Sequence, residues 1–240
     1  LRLLEEAPGE LDLLVEALTI KVSGFFRDPL VFECLGEVVL PVLLAAKAEA
    51  ADPVLRIWSA GCASGEEPYS VAILLHDLAR RARRPVDATV FATDVDENAL
   101  TRGREARYSR ESVANVRLGL LESSFEKEGE LYRVIPTIAE TARFSFHDLA
   151  EPGSAAPAES VFGSFDLVLC RNVLIYFEAD LQERVFDRLC RSVAPGGYLL
   201  LGPAESLSGP WAGRLRRVRD CVGLYQKPFR IARAHRGSAS

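Results

Sequence analysis

The sequence predicts an α/β fold: a doubly wound, mostly parallel sheet ending in an antiparallel C-terminal edge strand, with a small antiparallel β insertion and a helical remnant in front. Three observations carry that expectation. Short apolar runs suited to buried strands alternate with amphipathic stretches at helical spacing. The first clear run, Leu55-Arg56-Ile57-Trp58, breaks at Gly61 and Gly65 and turns into a helix, as happens at a parallel strand-to-helix crossover. At the other end, Leu215 to Arg219 and Val222 to Gln226 lie close enough for a hairpin, which supplies the antiparallel edge.

From the N-terminus, Leu1 to Leu18 is helix-like, with Leu11, Leu14, Val15 and Leu18 spaced for one face. Thr19 to Arg27 is a short segment ending at Asp28-Pro29, a helix start with Asp as cap and Pro at the first position. That helix is expected to reach about Ala51, kinked or divided at Pro41. After Leu55–Trp58 come a helix from Pro68 to about Ala82, a strand opened by Pro85 and ending at Asp94, and a helix from Asp96 to Ala106. From Tyr108 to Phe146 the alternation lapses, with strand candidates at Leu131–Ile135 and Ala142–Phe146, so a small insertion is expected there. Glu151 to Gly163, rich in Pro, Ala, Ser and Gly, reads as a loop. Phe165–Cys170 is the cleanest buried strand; a helix from Ala179 to Val193, a Pro195-Gly196-Gly197 turn and a strand from Tyr198 to Gly202 follow it. The expected domains are a helical remnant and linker over 1–50, the main domain over 51–228 with its insertion at about 108–146, and a disordered tail over 229–240.

At 240 residues and 48% hydrophobic, the chain can bury one principal core. The five cysteines are widely separated, odd in number and without metal-ligand spacing, so no metal is expected. With no apolar run of the ~18 residues that span a bilayer, and no basic segment before an apolar one at the start, a cytoplasmic location without membrane insertion is expected. The net charge of −5 hides a basic end: from Pro210 onward, eight Arg or Lys face one Asp, leaving −12 for the rest. Part of that end alternates like a strand, so it reads as a solvated surface, with no nucleic-acid partner.

The stretch from Leu55 to Ser70, LRIWSAGCASGEEPYS, has the form of a nucleotide-type ligand site. Glycines allow close backbone approach, and a helix N-terminus offers free N–H groups. Ser64-Gly65-Glu66-Glu67 reads as a capping box with Glu67 reaching back to Ser64. Capping alone would explain the two acids. Asp94, an acid ending the second strand, sits where such folds hold ribose hydroxyls. Arg27, beside two aromatics and before a helix, reads as a surface charge or an anion clamp.

These residues resemble those of S-adenosylmethionine-dependent methyltransferases, and more closely those of the CheR family of chemotaxis receptor methyltransferases. The blocks are FFRDP (Phe25 to Pro29), RIWSAGCASGEEPYS (Arg56 to Ser70), ATDVD (Ala92 to Asp96), FDLVLCRNVLIYF (Phe165 to Phe177) and PGGYLLLGPAES (Pro195 to Ser206), in the family's order. The resemblance implies methyl transfer from S-adenosylmethionine to receptor glutamate carboxylates, leaving S-adenosylhomocysteine, with a methyl-accepting chemoreceptor as partner. It implies that Arg27 pairs with the cofactor's carboxylate, Glu66 or Glu67 faces its amino group, and Asp94 holds its ribose. Ala60 and Gly61 would line the glycine turn, Asp148 and Leu149 the adenine, and Arg171 and Asn172 would close the site. Tyr176 and Arg27 would position substrate. Where the family commonly has Asn and Thr before FFR, this chain has Lys21 and Ser23.

Other readings compete. Tyr176, in an apolar run, would also suit a core position, and His147 and His76 read as structural. A cofactor-binding module without efficient catalysis is the alternative from another class. A methyltransferase acting on another substrate is the third, although Cys170-Arg171-Asn172-Val173 lacks the proline-aromatic pair that amino-methylating DNA enzymes use. The turn Glu126-Lys127-Glu128-Gly129-Glu130 is short and acidic, so docking through a receptor's C-terminal peptide is not expected.

Overall fold

The computed structural model describes residues 23–151, 156–157, 164–207, 211–219 and 221–229. Pro29–Cys34 (α1) passes through a π-helical turn, Leu35–Val39, into Leu40–Ala48 (α2). Leu55–Ala60 (β1), Glu66–Ala82 (α3), Ala88–Asp94 (β2) and Glu97–Glu105 (α4) follow. Arg107–Tyr108 (β3), Leu118–Ser124 (α5), Phe125–Glu128 (β4) and Leu131–Val134 (β5) make the insertion, and Pro136–Ala139 (α6) leads to Ala142–Phe146 (β6). Phe165–Cys170 (β7), Ala179–Ser192 (α7), Val193–Leu201 (β8), Arg216–Arg217 (β9) and Leu224–Gln226 (β10) complete the order.

One seven-stranded sheet runs β6-β2-β1-β7-β8-β10-β9. Its first five strands are parallel; β10 and β9 pair antiparallel, which is the expected edge. Alternation along β1 feeds two cores. Leu55 and Ile57 join α1–α3 on one face, while Trp58 and Ala60 join Val185, Phe186 and Leu189 of α7 on the other. Strands covered on both faces read as continuous apolar runs, which is why β1 and β7 were legible. The chain switches direction of winding beside β1 and β7, so the crevice at their C-terminal ends is the ligand position of such sheets.

Several local expectations change. Ala142–Phe146 belongs to the large sheet, pairing parallel with β2 from Val90 opposite Ala142 to Asp94 opposite Phe146, so the insertion closes before it. The small sheet is β3-β5-β4. Near Pro41 the helix is divided without ending: the π-helical turn separates α1 from α2, and the Leu40 N–H bonds to the Leu35 carbonyl. Pro41 falls in the first turn of α2, where the wider turn accommodates a ring that would strike the carbonyl four residues back. Pro195-Gly196-Gly197 is not a turn before a strand but lies inside β8. Ser64 does not cap α3; Gly65 precedes it at φ 96° with no side-chain cap, because Glu67 is bonded elsewhere. Asp28 precedes α1 without capping it, whereas Asp96 does cap α4, accepting from the Asn98 and Ala99 N–H groups.

Contrary to expectation, one stretch, Pro29–Ala48, is long and apolar enough to cross a membrane, with a mean hydropathy of 1.9. In the fold it is a packed helix: Phe32, Leu35, Leu40 and Leu43 are buried, and Glu33 and Glu37 pair with Arg117 and Arg81. Lys227 donates to the carbonyls of Cys190 and Val193 at the end of α7, and a β-carbon on Gly196 would lie 2.3 Å from the Phe229 ring. The expected helix over Leu1–Leu18, most of the loop over 151–163 and the tail over 230–240 lie outside the described residues.

Candidate active site

The turn after β1 is built to come close to a ligand. Gly61 sits at φ 76°, and a β-carbon there would be 2.3 Å from a Val173 methyl, so both conformation and space require glycine. The Gly61 and Cys62 N–H groups both bond to the Thr93 carbonyl, at 2.8 and 2.9 Å. The Ala63 N–H donates to one Asp94 oxygen at 2.8 Å and the Asp96 N–H to the other at 3.0 Å. Asp94 is thereby locked at the rim of a cavity of about 390 Å³ at the C-terminal ends of β1, β2 and β7.

A second wall comes from the FFRDP loop. Phe26 and Asp28 adopt φ of 54° and 64°, held by the Phe26 N–H on Ser70 Oγ and the Phe25 N–H on the Ser112 carbonyl. The insertion supports this loop: Tyr108 and Phe125 meet the Phe25 ring edge-on at 4.7 and 5.1 Å, and the Tyr108 hydroxyl donates to the Ser64 carbonyl. Arg27 and Ser23 line the cavity from here.

Arg171 joins the two walls. Its side chain is 2% exposed, pairs with Asp28 and with Glu67 Oε2 at 3.2 Å, and donates to the Arg27 carbonyl at 3.1 Å. Glu67 also accepts from Ser59 Oγ at 2.7 Å. Burial pushes the Glu67 carboxyl above its ordinary range, against the pull of the Arg171 charge. Glu66 is raised by burial too; its Oε2 has no hydrogen-bond partner, and Ser23 favours its ionised form.

The last wall is the loop after β7. Asn172 sits at φ 60°, a short 3-10 helix covers Leu174–Tyr176, and Gln182 Nε2 donates to the Leu174 and Phe177 carbonyls. Tyr176 lines the cavity and is 69% exposed, which excludes the core position open to it in sequence. Exposed Val95 and Ile175 flank the mouth.

The structure therefore gathers Ser23, Arg27, Gly61, Glu67, Asp94, Asp148, Leu149, Arg171, Asn172 and Tyr176 around one cavity. Of the two glutamates left open, Glu67 lines it and Glu66 lies behind it, at 5% exposure. Ala60 does not line it; its methyl is in the α7-side core. Lys21 lies outside the described residues. Asp28 and Cys62 were missed, while His147, read as structural, also borders the cavity. Asp28 gave no signal beyond a cap, Cys62 looked like core, and His147 is buried edge-on to Trp58, with burial lowering its pKa.

The family described as CheR methyltransferase, SAM binding domain, matches residues 21–217. The chain belongs to the CheR methyltransferase family. A Rhodobacter capsulatus relative, an uncharacterised 104.1 kDa protein, is 38% identical over all of this chain, which spans 23% of that protein. Proteins named chemotaxis protein methyltransferase are 33% identical in Listeria innocua, covering 83% of this chain and 71% of the relative, and, as chemotaxis protein methyltransferase 1, 33% identical in Pseudomonas aeruginosa, covering 86% and 74%.

The CheR domain binds S-adenosylmethionine, and the residues present fit it. The cavity lining carries two carboxylates (Glu67, Asp94), a guanidinium (Arg27) and apolar side chains (Leu149, Val95), a set chemically suited to a ligand made of an amino acid, vicinal hydroxyls and a base.

Proposed function

We propose that this CheR-family domain transfers the methyl group of S-adenosylmethionine to glutamate side-chain carboxylates of methyl-accepting chemoreceptors, in the cytoplasm. The observation that carries the reading is the convergence of the FFRDP loop, the glycine turn and the loop after β7 on one cavity, with Tyr176 exposed at its mouth. The chemotaxis names of the relatives support the choice of substrate.

In this reading Arg27 pairs with the cofactor carboxylate, Glu67 faces its ammonium, Asp94 accepts from the ribose hydroxyls, and Asp148 and Leu149 border the adenine. Ser23, Gly61 and Asn172 complete the wall, and Lys21, outside the described residues, is assigned to the same loop. Glu66 and Ala60 act from behind, shaping the turn. Arg171 neutralises Glu67 and ties the Arg27 loop down. When bound, the cofactor supplies an electrophilic methyl carbon on a sulfonium.

The chain's residues need only orient the nucleophile and exclude water. A glutamate side chain, with a pKa of ~4.3, is already ionised at neutral pH, so no general base is required. Tyr176 offers a hydroxyl at the mouth to position the incoming carboxylate, beside Arg27. His147, whose pKa is lowered by burial and whose ring packs edge-on to Trp58, is given no part in the transfer.

The two-residue turn between β4 and β5 carries Gly129 and Glu130, and Glu128 is paired with Arg107 and Arg133. The shortness of this turn supports direct recognition of the receptor helices without a tethered C-terminal peptide. The test is incubation with methyl-labelled cofactor and receptor-bearing membranes, followed by alkali. Label released as methanol is expected from glutamyl esters; alkali-stable label would refute carboxyl methylation.

A further inference from the structure

Beneath the substrate-facing loop lies a carboxylate, the glutamate of the PGGYLLLGPAES block, to which neither the motif analysis nor the proposed chemistry gives a role. Glu205, in the segment after β8, is 8% exposed. Its Oε1 accepts the N–H groups of Val173 and Leu174 at 2.9 and 2.8 Å. Its Oε2 accepts those of Asn172 and Gly202 at 3.1 and 2.7 Å. Four donors occupy the acceptor sites of one carboxylate, the arrangement that holds an anion most tightly in a polar nest.

The surroundings are shaped to admit that carboxylate. A β-carbon at Gly202 would lie 2.7 Å from Glu205 Oε2 and 2.9 Å from the Asn172 nitrogen, so only glycine lets the loop, the strand end and the acid meet. Three of the four N–H groups come from consecutive residues, and the first, Asn172, has φ 60°, a conformation that costs energy for a residue other than glycine. The carboxylate compensates that cost. It also fixes Val173, whose methyl fills the space above Gly61, and starts the 3-10 turn that carries Tyr176 to the mouth.

We propose that Glu205 is a positioning residue: by accepting four backbone N–H groups it sets the shape of residues 172–176 and so places Tyr176 over the methyl-transfer site. This deepens the proposed function and rests on Tyr176 meeting the substrate.

Glu205→Gln keeps the side chain's size but turns one acceptor into a donor facing N–H groups. Glu205→Asp keeps both acceptors on a shorter stem and serves if the first variant fails to fold. The measurements are amide hydrogen exchange, calorimetric affinity for S-adenosylhomocysteine, and kcat and KM for methyl transfer to receptor membranes. In Glu205→Gln, amides of 172–174 and 202 are expected to exchange about tenfold faster or more while those of β1 and β7 keep their protection. Because Asn172 is one of several residues along the cofactor wall, cofactor affinity should fall less than kcat, which is expected to drop about tenfold. Adding Tyr176→Phe should lower kcat no further, since the hydroxyl is already misplaced, and Glu205→Asp should recover part of the rate.

Unchanged exchange at 172–174 overturns the proposal. So does faster exchange with wild-type kcat, or a double variant whose losses multiply; both leave the proposed function standing if Tyr176→Phe alone is slow. Wild-type turnover in Tyr176→Phe alone would overturn the role of Tyr176 and this inference with it.

Discussion

Arg171→Met would remove the cation that joins the two walls of the cavity. The methionine stem refills much of the volume, but Glu67 loses the guanidinium 3.2 Å away, and the Arg27 carbonyl and Asp28 lose their donor. Breaking a buried pair by deleting one partner costs about 3–5 kcal/mol. The Asp28 side chain is 41% exposed and can return to water, so the lower end, about 3 kcal/mol, is expected. In a domain of this size each kcal/mol shifts Tm by about 2–4 °C, which gives a fall of about 6–12 °C. The pH dependence follows from Glu67. Its folded pKa lies above 4.5 because of burial, and Arg171 opposes that rise. Losing Arg171 raises it further. A group with a raised carboxyl pKa binds protons more tightly when folded, so its contribution declines as pH rises from about 4.5 through the folded pKa. The variant's deficit should therefore be smallest at the acid end of that window and full at neutral pH. If the cofactor ammonium meets Glu67, affinity for S-adenosylhomocysteine falls as Glu67 protonates, and in the variant the fall begins at higher pH. Thermal melts and calorimetric titrations across about pH 5–8 read both effects. Melting within about 2 °C of the parent throughout, or superimposable affinity profiles, would refute the view that Arg171 neutralises Glu67.

Other outcomes are expected together. Asp94→Ala and Arg27→Ala should each weaken cofactor binding by about 1–3 kcal/mol, and unchanged calorimetric affinity in both would displace the assigned site. Tyr176→Phe should lower turnover more than affinity; equal turnover per bound enzyme would show the hydroxyl to be idle. Gly61→Ala places a methyl 2.3 Å from Val173 at φ 76°, so a loss of about 2 kcal/mol or more in stability is expected, and a chemical melt matching the parent would show that the turn relaxes freely. A titration with the docking peptide used by other family members should show no binding at hundreds of times a micromolar dissociation constant, about −8.2 kcal/mol; saturable binding mapped to β4 or β5 would overturn the direct-contact reading.

What the sequence determined by itself was whatever local pattern dictates. Buried parallel strands are continuous apolar runs, so β1 and β7 could be read nearly to the residue, and the strand-turn-helix at Gly61 announced a ligand site because glycine there answers a backbone requirement. The charged and polar blocks around Arg27, Asp94 and Arg171 could be gathered by resemblance, though not placed against one another. Tertiary structure decided the rest. Ser64 and Glu67 match a capping box in spacing, but Ser59 and Arg171, eight and 104 residues from Glu67, bind its carboxylate instead, since a buried acid is drawn to the strongest donors the fold brings near. Ala142–Phe146 looked like part of the insertion because strands carry no label for the sheet they join; pairing with β2 made it an edge of the large one. The choice of Glu67 over Glu66 depended on which of two adjacent side chains the helix turned toward the cavity. Glu205 gave no local sign of its role, because its four donors lie on backbone of residues 172–174 and 202, and backbone N–H groups converge on a side chain only once the strands that carry them have been set side by side.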